Sequence, residues 1–342
     1  MRMNNYPMLE VPGIVPNGPG FNGMTMDAAA ISGGMAFLVG ELEKRDEQLH
    51  EPLTSITWPR DMPVHTGGGL VDAVSYYDVS YATSGGTDGG IMGGETNDLP
   101  VMQADIGKEE ARTFMWGHIL KVPMIDQEKL KKIGRSLDDI LDKGLHLAHD
   151  KAVEQSVYVG FSQHGSYGLI NNPNIVTVMA DPHTPSGSDT QWANKTPDEL
   201  LADINRVMVE TWAASEYDLS GMANHILVPP EQYAMLVSTK VGENGEKSVL
   251  TYLLENNIGR NQGIDLVIAP RACCKAAGTG GSDRLVAYCN HEDRVRFDMT
   301  APLHRLLTQA SAEHLAYLTP YLAQWSEVYW LYLSHAMYMD GI

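Results

Sequence analysis

Apolar positions recur every second residue in TSITWPRDMPV, DAVSYYDVSYAT and ARTFMWGHILKVPMI, between Leu53 and about Ile125, a period that predicts strands. Between the second and third of these lies SGGTDGGIMGGETND, with six glycines from Gly85 to Gly94. No regular element holds such a run, so the two flanking strands read as a long β-hairpin with an irregular, acidic tip. The period then changes. Leu130, Ile133, Leu137, Ile140, Leu141, Leu145, Ala148 and Ala152 recur at spacings of three and four, with charged pairs opposite, which predicts one helix over 126–158. At 1.5 Å per residue that is a rod of roughly 45 Å.

Further on, Thr196, Pro197 and Glu199 form a helix start: a capping hydroxyl, a first-turn proline and a capping-box acid. Leu200, Leu201, Ile204, Val207, Met208 and Trp212 line the buried face of that helix. Strand-like HILVPP, helices from Glu231 and from Ser248 to Asn257, and strands IDLVIAP and RLVAYC follow, so 160–290 reads as an α/β unit. From Arg294 strand patterns return in RVRFDM. Tyr317, Tyr321, Trp325, Tyr329, Trp330, Tyr332 and Tyr338 then form an aromatic-rich run, which reads as a sheet closing over the long helix. At the other end, residues 1–23 carry four prolines and four glycines, the composition of an extended arm, and Asp27 can cap a short helix after it.

The chain has 342 residues, long enough for one large or two ordinary domains. Its 24 Lys and Arg against 43 Asp and Glu give a formal charge of -19, which argues against a protein that works by neutralising nucleic-acid phosphates. The acid is concentrated: residues 61–107 contain no Lys or Arg but hold Asp61, Asp72, Asp78, Asp88, Glu95, Asp98 and Asp105. Three cysteines, Cys273, Cys274 and Cys289, make a poor disulfide framework and suit a reducing cytoplasm. No signal peptide or membrane-spanning stretch is expected from the sequence.

Candidate chemistry is sparse. His146, His149, Asp150 and Glu154 have helical spacing that could gather metal ligands, though they lie off the apolar stripe. His164, Asp181 and His183 fall in loops, without HExxH or GxSxG around them. The glycine run is no phosphate loop, lacking a Lys, and only Asp88 and Glu95 could serve a calcium ion. We expect no catalytic residue, no cofactor and no metal, and so no enzyme.

The order of these parts, with DLPVMQADIGKEEARTFMWGHILKV leading into the long helix, YGLINNPNI just after it, TPDELLADINRVMVETW, and HILVPPEQYAMLV followed by TYLLENN, resembles the major capsid proteins of tailed double-stranded DNA bacteriophages. Within that family, whose HK-ninety-seven-type fold is shared with encapsulin shells, it looks like the encapsulin-like branch. The resemblance implies an α+β fold with an N-terminal arm over 1–52, an extended hairpin loop and flanking strands over 53–125, and a spine helix of a peripheral domain over 126–159. It further implies an axial domain over 160–290 and a return of the peripheral domain over 291–342.

It also implies a function: pentamers and hexamers of the chain closing an icosahedral shell around the phage genome, assembled in the bacterial cytoplasm and ending in the virion. Implied partners are other copies of the chain, a separate scaffolding protein, a portal protein, in some members a decoration protein, and packaged DNA through weak nonspecific contacts; no membrane is implied. Some members weld neighbours through a Lys in the extended loop, and the lack of Lys over 61–107 implies that this chain does not. Competing readings are an encapsulin-type nanocompartment shell and, further off, a metal-dependent hydrolase. Large side chains on strands expected to project make Trp58, Arg60, Tyr76, Tyr77 and Trp116 the candidate subunit contacts.

Overall fold

The computed structural model describes residues 55–84, 100–132, 137–184, 187–241 and 247–342. The expected arm, the helix from Asp27 and the glycine-rich tip lie outside the described residues. Chain order begins with a helical turn α1 (Trp58–Asp61), then β1 (Val64–Thr66), β2 (Ala73–Ser84), β3 (Val101–Pro123), α2 (Met124–Lys132) and α3 (Leu137–Tyr158). It continues through β4 (Val176–Met179), α4 (Pro197–Ala214), β5 (His225–Val228), α5 (Pro230–Ser238), the short pair β6 (Lys240–Val241) and β7 (Lys247–Ser248), and α6 (Val249–Asn256). Then come α7 (Ile258–Asn261), β8 (Val267–Pro270), β9 (Arg284–Tyr288), β10 (Val295–Met299), β11 (Ala301–Arg305), β12 (Gln309–Ser311), β13 (Ala316–Ser326), β14 (Tyr329–Trp330) and β15 (Ala336–Asp340).

Two sheets organise this chain. In the first, the order is β11-β13-β3-β2, with β12 beside β13. β3 pairs along its outer half with β2, from Ala73↔Arg112 to Ser84↔Val101, and along its inner half with β13, from Trp325↔Phe114 to Ala316↔Pro123. α3 lies on one face of the inner half. Leu120 and Val122 of β3 and Tyr321 of β13 bury themselves there against Leu145, with Trp116 and Leu141 at the margin. The expected single helix over 126–158 is two helices, α2 and α3, with 133–136 between them outside the described residues.

In the second sheet the order is β4-β15-β9-β5-β8. Ile226 and Val228 of β5, Leu285 and Ala287 of β9, and Met337 and Met339 of β15 face α4, α5 and α6 through Ile204, Val207, Met208, Leu236 and Leu253. Their alternates Leu227, Val286 and Tyr338 face a second core with Val153, Val157 and Tyr158 of α3, Phe297 and Trp325. Strands buried on both faces carry near-continuous apolar runs, as HILV and RLVAY do. α4 starts as its sequence dictates: the Thr196 hydroxyl accepts from the Glu199 N–H, and the Glu199 carboxylate accepts from the Thr196 N–H.

Two local readings differ from the structure. TSITWPRDMPV is not one strand, because Pro59 opens a helical turn whose product is a fully buried Asp61. Residues 336–340 do not join β11, β12 and β13 in the first sheet, nor β10 and β14 in their small sheet with β1; β15 pairs in parallel with β4 and antiparallel with β9, inside the α/β sheet. After α3 the chain in YGLINNPNI doubles back so closely that a Cβ at Gly168 would sit 2.3 Å from the Tyr158 carbonyl carbon. Only glycine permits the Leu169 N–H to reach the Val157 carbonyl at that approach.

Candidate assembly surfaces

The β2–β3 ribbon has two unlike faces, set by its register. Directly opposed residues share a face. One face carries Tyr77↔Lys108, Val79↔Ile106, Tyr81↔Ala104 and Thr83↔Met102; the other carries Tyr76↔Glu109, Asp78↔Gly107, Ser80↔Asp105 and Ala82↔Gln103. The first carries the apolar Tyr77, Val79, Tyr81, Met102 and Ile106, with Thr83, Lys108 and, towards the base, Ser75 and Glu110 as its polar members, and nothing among the described residues covers it: Tyr77 is 69% and Tyr81 73% exposed, with Val79, Met102 and Ile106 exposed beside them. The second is acidic. A two-stranded ribbon with no core of its own is marginal in water, so this one needs a surface to lie on.

The base of the ribbon is clamped. The Thr113 hydroxyl donates to the Val71 and Asp72 carbonyls, and the Gln324 amide both donates to the Val71 carbonyl and accepts from its N–H. Tyr76 stacks on Tyr329 with ring centres 5.1 Å apart and donates its hydroxyl proton to Glu109. Burial, then the Glu109 hydrogen bond, pushes the Tyr76 phenol well above its ordinary value. Beyond this row nothing among the described residues packs on the ribbon.

A second apolar surface that no described residue covers is the face of the first sheet turned away from α3. Met115 and Ile119 of β3 are 63% and 65% exposed, opposite Gln324 and Pro320 of β13. Leu318 and Leu322 are half-buried beside them, with Lys121 at the margin.

A buried polar latch ties the lead-in segment to α3 and to the second sheet. Arg60 donates twice to the Asp61 carboxylate, at 2.6 and 2.8 Å; His225 of β5 bonds it at 2.9 Å, and the Tyr158 hydroxyl donates to it from α3. The Tyr288 hydroxyl donates to the Asp61 carbonyl. Burial alone would raise the Asp61 pKa, but the donors from Arg60, His225 and Tyr158 outweigh it and hold the carboxyl at about 2. Beside it, Arg271 lies 3.7 Å above the Tyr158 ring and binds Glu154, which also accepts from Thr57.

The candidate contact residues separate on these surfaces. Tyr77 alone projects from the apolar face of the ribbon. Tyr76 is spent on Glu109 and Tyr329, Arg60 on Asp61, Trp58 leans on Phe297, and Trp116 lies between His118 and His149 under α3. Val79, Tyr81, Met102, Ile106, Met115 and Ile119 went unrecognised in the sequence; their signal is the cross-strand register, which pairs the apolar residues of β2 with those of β3.

The polar candidates are engaged otherwise. His146 bonds the Asp142 carbonyl, His149 contacts Asp150, Glu154 is held by Arg271, Asp181 by Arg206, and His183 by Glu199, while the His164 carbonyl accepts from Arg112. Among the described residues no group of three or more His, Cys, Asp or Glu is placed to hold a metal ion, and no helix is long and apolar enough to cross a membrane. Burial raises the Cys274 thiol to about 12 and the Cys289 thiol to about 11, far from reactive.

A family model described as major capsid protein matches residues 88–342. No curated protein sequence matches the chain. Among solved structures, the capsid of Myoviridae phage XM1 superposes with a TM-score of 0.73 at 15% identity, over 89% of this chain and 98% of that one. Microbacterium phage Oxtober96 gives 0.57 at 14%, over 87% and 92%. The capsid of the native GTA particle gives 0.56 at 10%, over 90% and 98%. The α+β fold described above, ribbon, long helix and α/β sheet together, is the fold of these capsids.

Proposed function

The chain belongs to the major capsid protein family and is a shell subunit, and from that premise we propose how it builds its shell: copies join into rings of five and six that close an icosahedral container around packaged double-stranded DNA. The observation that carries this reading is the pair of uncovered apolar faces. The Tyr77, Val79, Tyr81, Met102 and Ile106 face of one copy lies on the Met115 and Ile119 face of the next. Because the two faces differ, the contact is head-to-tail, the kind that closes into rings when its rotation permits. The acidic face of the ribbon then stays in solvent.

In this role the chain performs no reaction; its work is geometry. Residues 1–52 act as an arm, 126–159 as the spine of a peripheral domain and 160–290 as an axial domain, with 291–342 returning to the periphery except at β15. A separate scaffolding protein, a portal and possible decoration proteins would complete the particle in the host cytoplasm. DNA would meet the wall only weakly, in keeping with a chain of charge -19.

The test is electron microscopy of the purified full chain beside its Tyr77→Ser, Ile106→Ser double variant. Burying each of these side chains contributes roughly 1.5–3 kcal/mol at a contact, so losing both weakens each junction by at least about a hundredfold. We expect rings or closed shells from the parent, and folded, unassembled subunits from the variant. A parent that stays monomeric, or a variant that assembles as well as the parent, would refute the proposal.

A further inference from the structure

The seat of α3 on the first sheet is unusual in what fills its middle. His149 is buried with its ring between two indoles, edge-to-face against Trp116 of β3 at 5.3 Å and Trp325 of β13 at 5.5 Å, at interplanar angles of 80° and 83°. Its Nδ1 lies 3.1 Å from the Asp150 carboxylate, while its Nε2 is sealed from solvent with no hydrogen-bond partner among the described residues. This is the geometry of a neutral ring, donating through Nδ1 and leaving a bare lone pair at Nε2 in a dry slot. A proton added there becomes a buried N–H without an acceptor, a costly arrangement.

The surrounding groups do little to relieve it. On α3 itself, Asp150 already serves Nδ1, His146 is a further imidazole one turn away on Asp142, and Glu154 is held by Arg271. From β3, His118 stacks on Trp116 at 4.3 Å. From β13, the Tyr321 hydroxyl donates a hydrogen bond to Asp142, and Arg305 of β11 reaches Asp138. The carboxylates along this face are therefore committed.

We propose that His149 is a proton-operated release for the helix: neutral, it fills the slot between Trp116 and Trp325 and seats α3 on the sheet; protonated, it leaves the slot and loosens that seat. Burial, partly offset by Asp150, holds the His149 pKa below its ordinary value, so the ring stays neutral until the medium is distinctly acid. The stabilisation it supplies is complete above the free imidazole value and is lost as pH falls through the lower folded value. The device sits within one subunit and does not depend on how copies join.

The experiment uses the full chain and reads two exchange reactions by mass spectrometry across about pH 7.5 to about pH 4.5. Exchange at the imidazole C2 carbon reports the titration of each histidine. Amide exchange, corrected for its intrinsic pH dependence, reports opening of 145–153 and 114–118. We expect His149 to titrate below a free imidazole, with protection of those amides falling several-fold at the same midpoint. The fall should vanish in His149→Asn and persist in His146→Asn and His118→Asn. If His149 titrates as an ordinary imidazole, the proposal fails on the parent chain alone, whatever the variants do; it fails also if protection falls equally in His149→Asn. Electron microscopy of the same samples scores assembly separately, so a chain that forms no shells overturns the shell reading and leaves this one to the exchange data.

Discussion

Replacing Asp61 by Asn keeps the shape of the side chain and removes its charge. In the folded chain that carboxylate accepts two bonds from Arg60, one from His225 and one from Tyr158, while being wholly buried. Depression of its pKa from 3.8 to about 2 corresponds to about 2 kcal/mol of stabilisation, somewhat less once screening at the half-exposed Arg60 is allowed for. The amide also turns one acceptor into a donor facing donors, which raises the expected cost to roughly 2–4 kcal/mol. Urea unfolding of the unassembled chain, followed by tryptophan fluorescence, measures it. Since the folded pKa is the lower one, the advantage of Asp61 is complete above the unfolded value of 3.8 and declines as pH falls towards about 2. The parent should therefore exceed Asp61→Asn in stability near neutrality, and the gap should narrow on acidification. A gap below about 0.5 kcal/mol near neutrality, or one indifferent to pH, would refute the account of the latch.

Two glycines make a contrasted pair: Gly168→Ala drives a Cβ into the Tyr158 backbone and should lower the melting temperature sharply, whereas Gly144→Ala, in α3 with nothing within 4 Å, should raise stability by about 0.5–1 kcal/mol. Equal melting temperatures would show that the close approach after α3 is not binding. Lys108, the one Lys among the described residues of the ribbon, is paired with Glu110, and 61–107 hold no Lys, so denaturing electrophoresis of mature particles should give a single monomer band; covalent multimers mapped to the ribbon would contradict this.

Much of this architecture is written locally. The period-two runs of β2 and β3 and the capping box at Thr196 and Glu199 need no partner to be read, because strand alternation and helix capping act over a few residues. What escapes is decided at long range. Asp61 is buried only because His225 and Tyr288 arrive from more than 160 residues away, so its turn looks like a strand in isolation. Large side chains in the projecting segment look alike in sequence, yet Tyr76 and Tyr77 face opposite ways, and only register decides which is spent inside the chain. The membership of β15 in the α/β sheet is invisible for the same reason, since AMYMD matches either sheet.

The position of β15 also orders events at the ribosome. It lies between β4 and β9, so β4, finished by residue 179, has no strand beside it until residues 336–340 emerge. At about 5–20 residues per second this is a wait of roughly 10 to 30 s, during which an open edge and its apolar neighbours are exposed to chaperones. The first sheet waits longer still, because β3 ends at residue 123 and β13 at residue 326, and the surface proposed to receive a neighbour's ribbon is completed only when β13 joins β3. On the proposed contact, a nascent chain would display its ribbon long before it could receive one, and growing chains on one messenger would be kept from joining until each had been read nearly to the end of this fold.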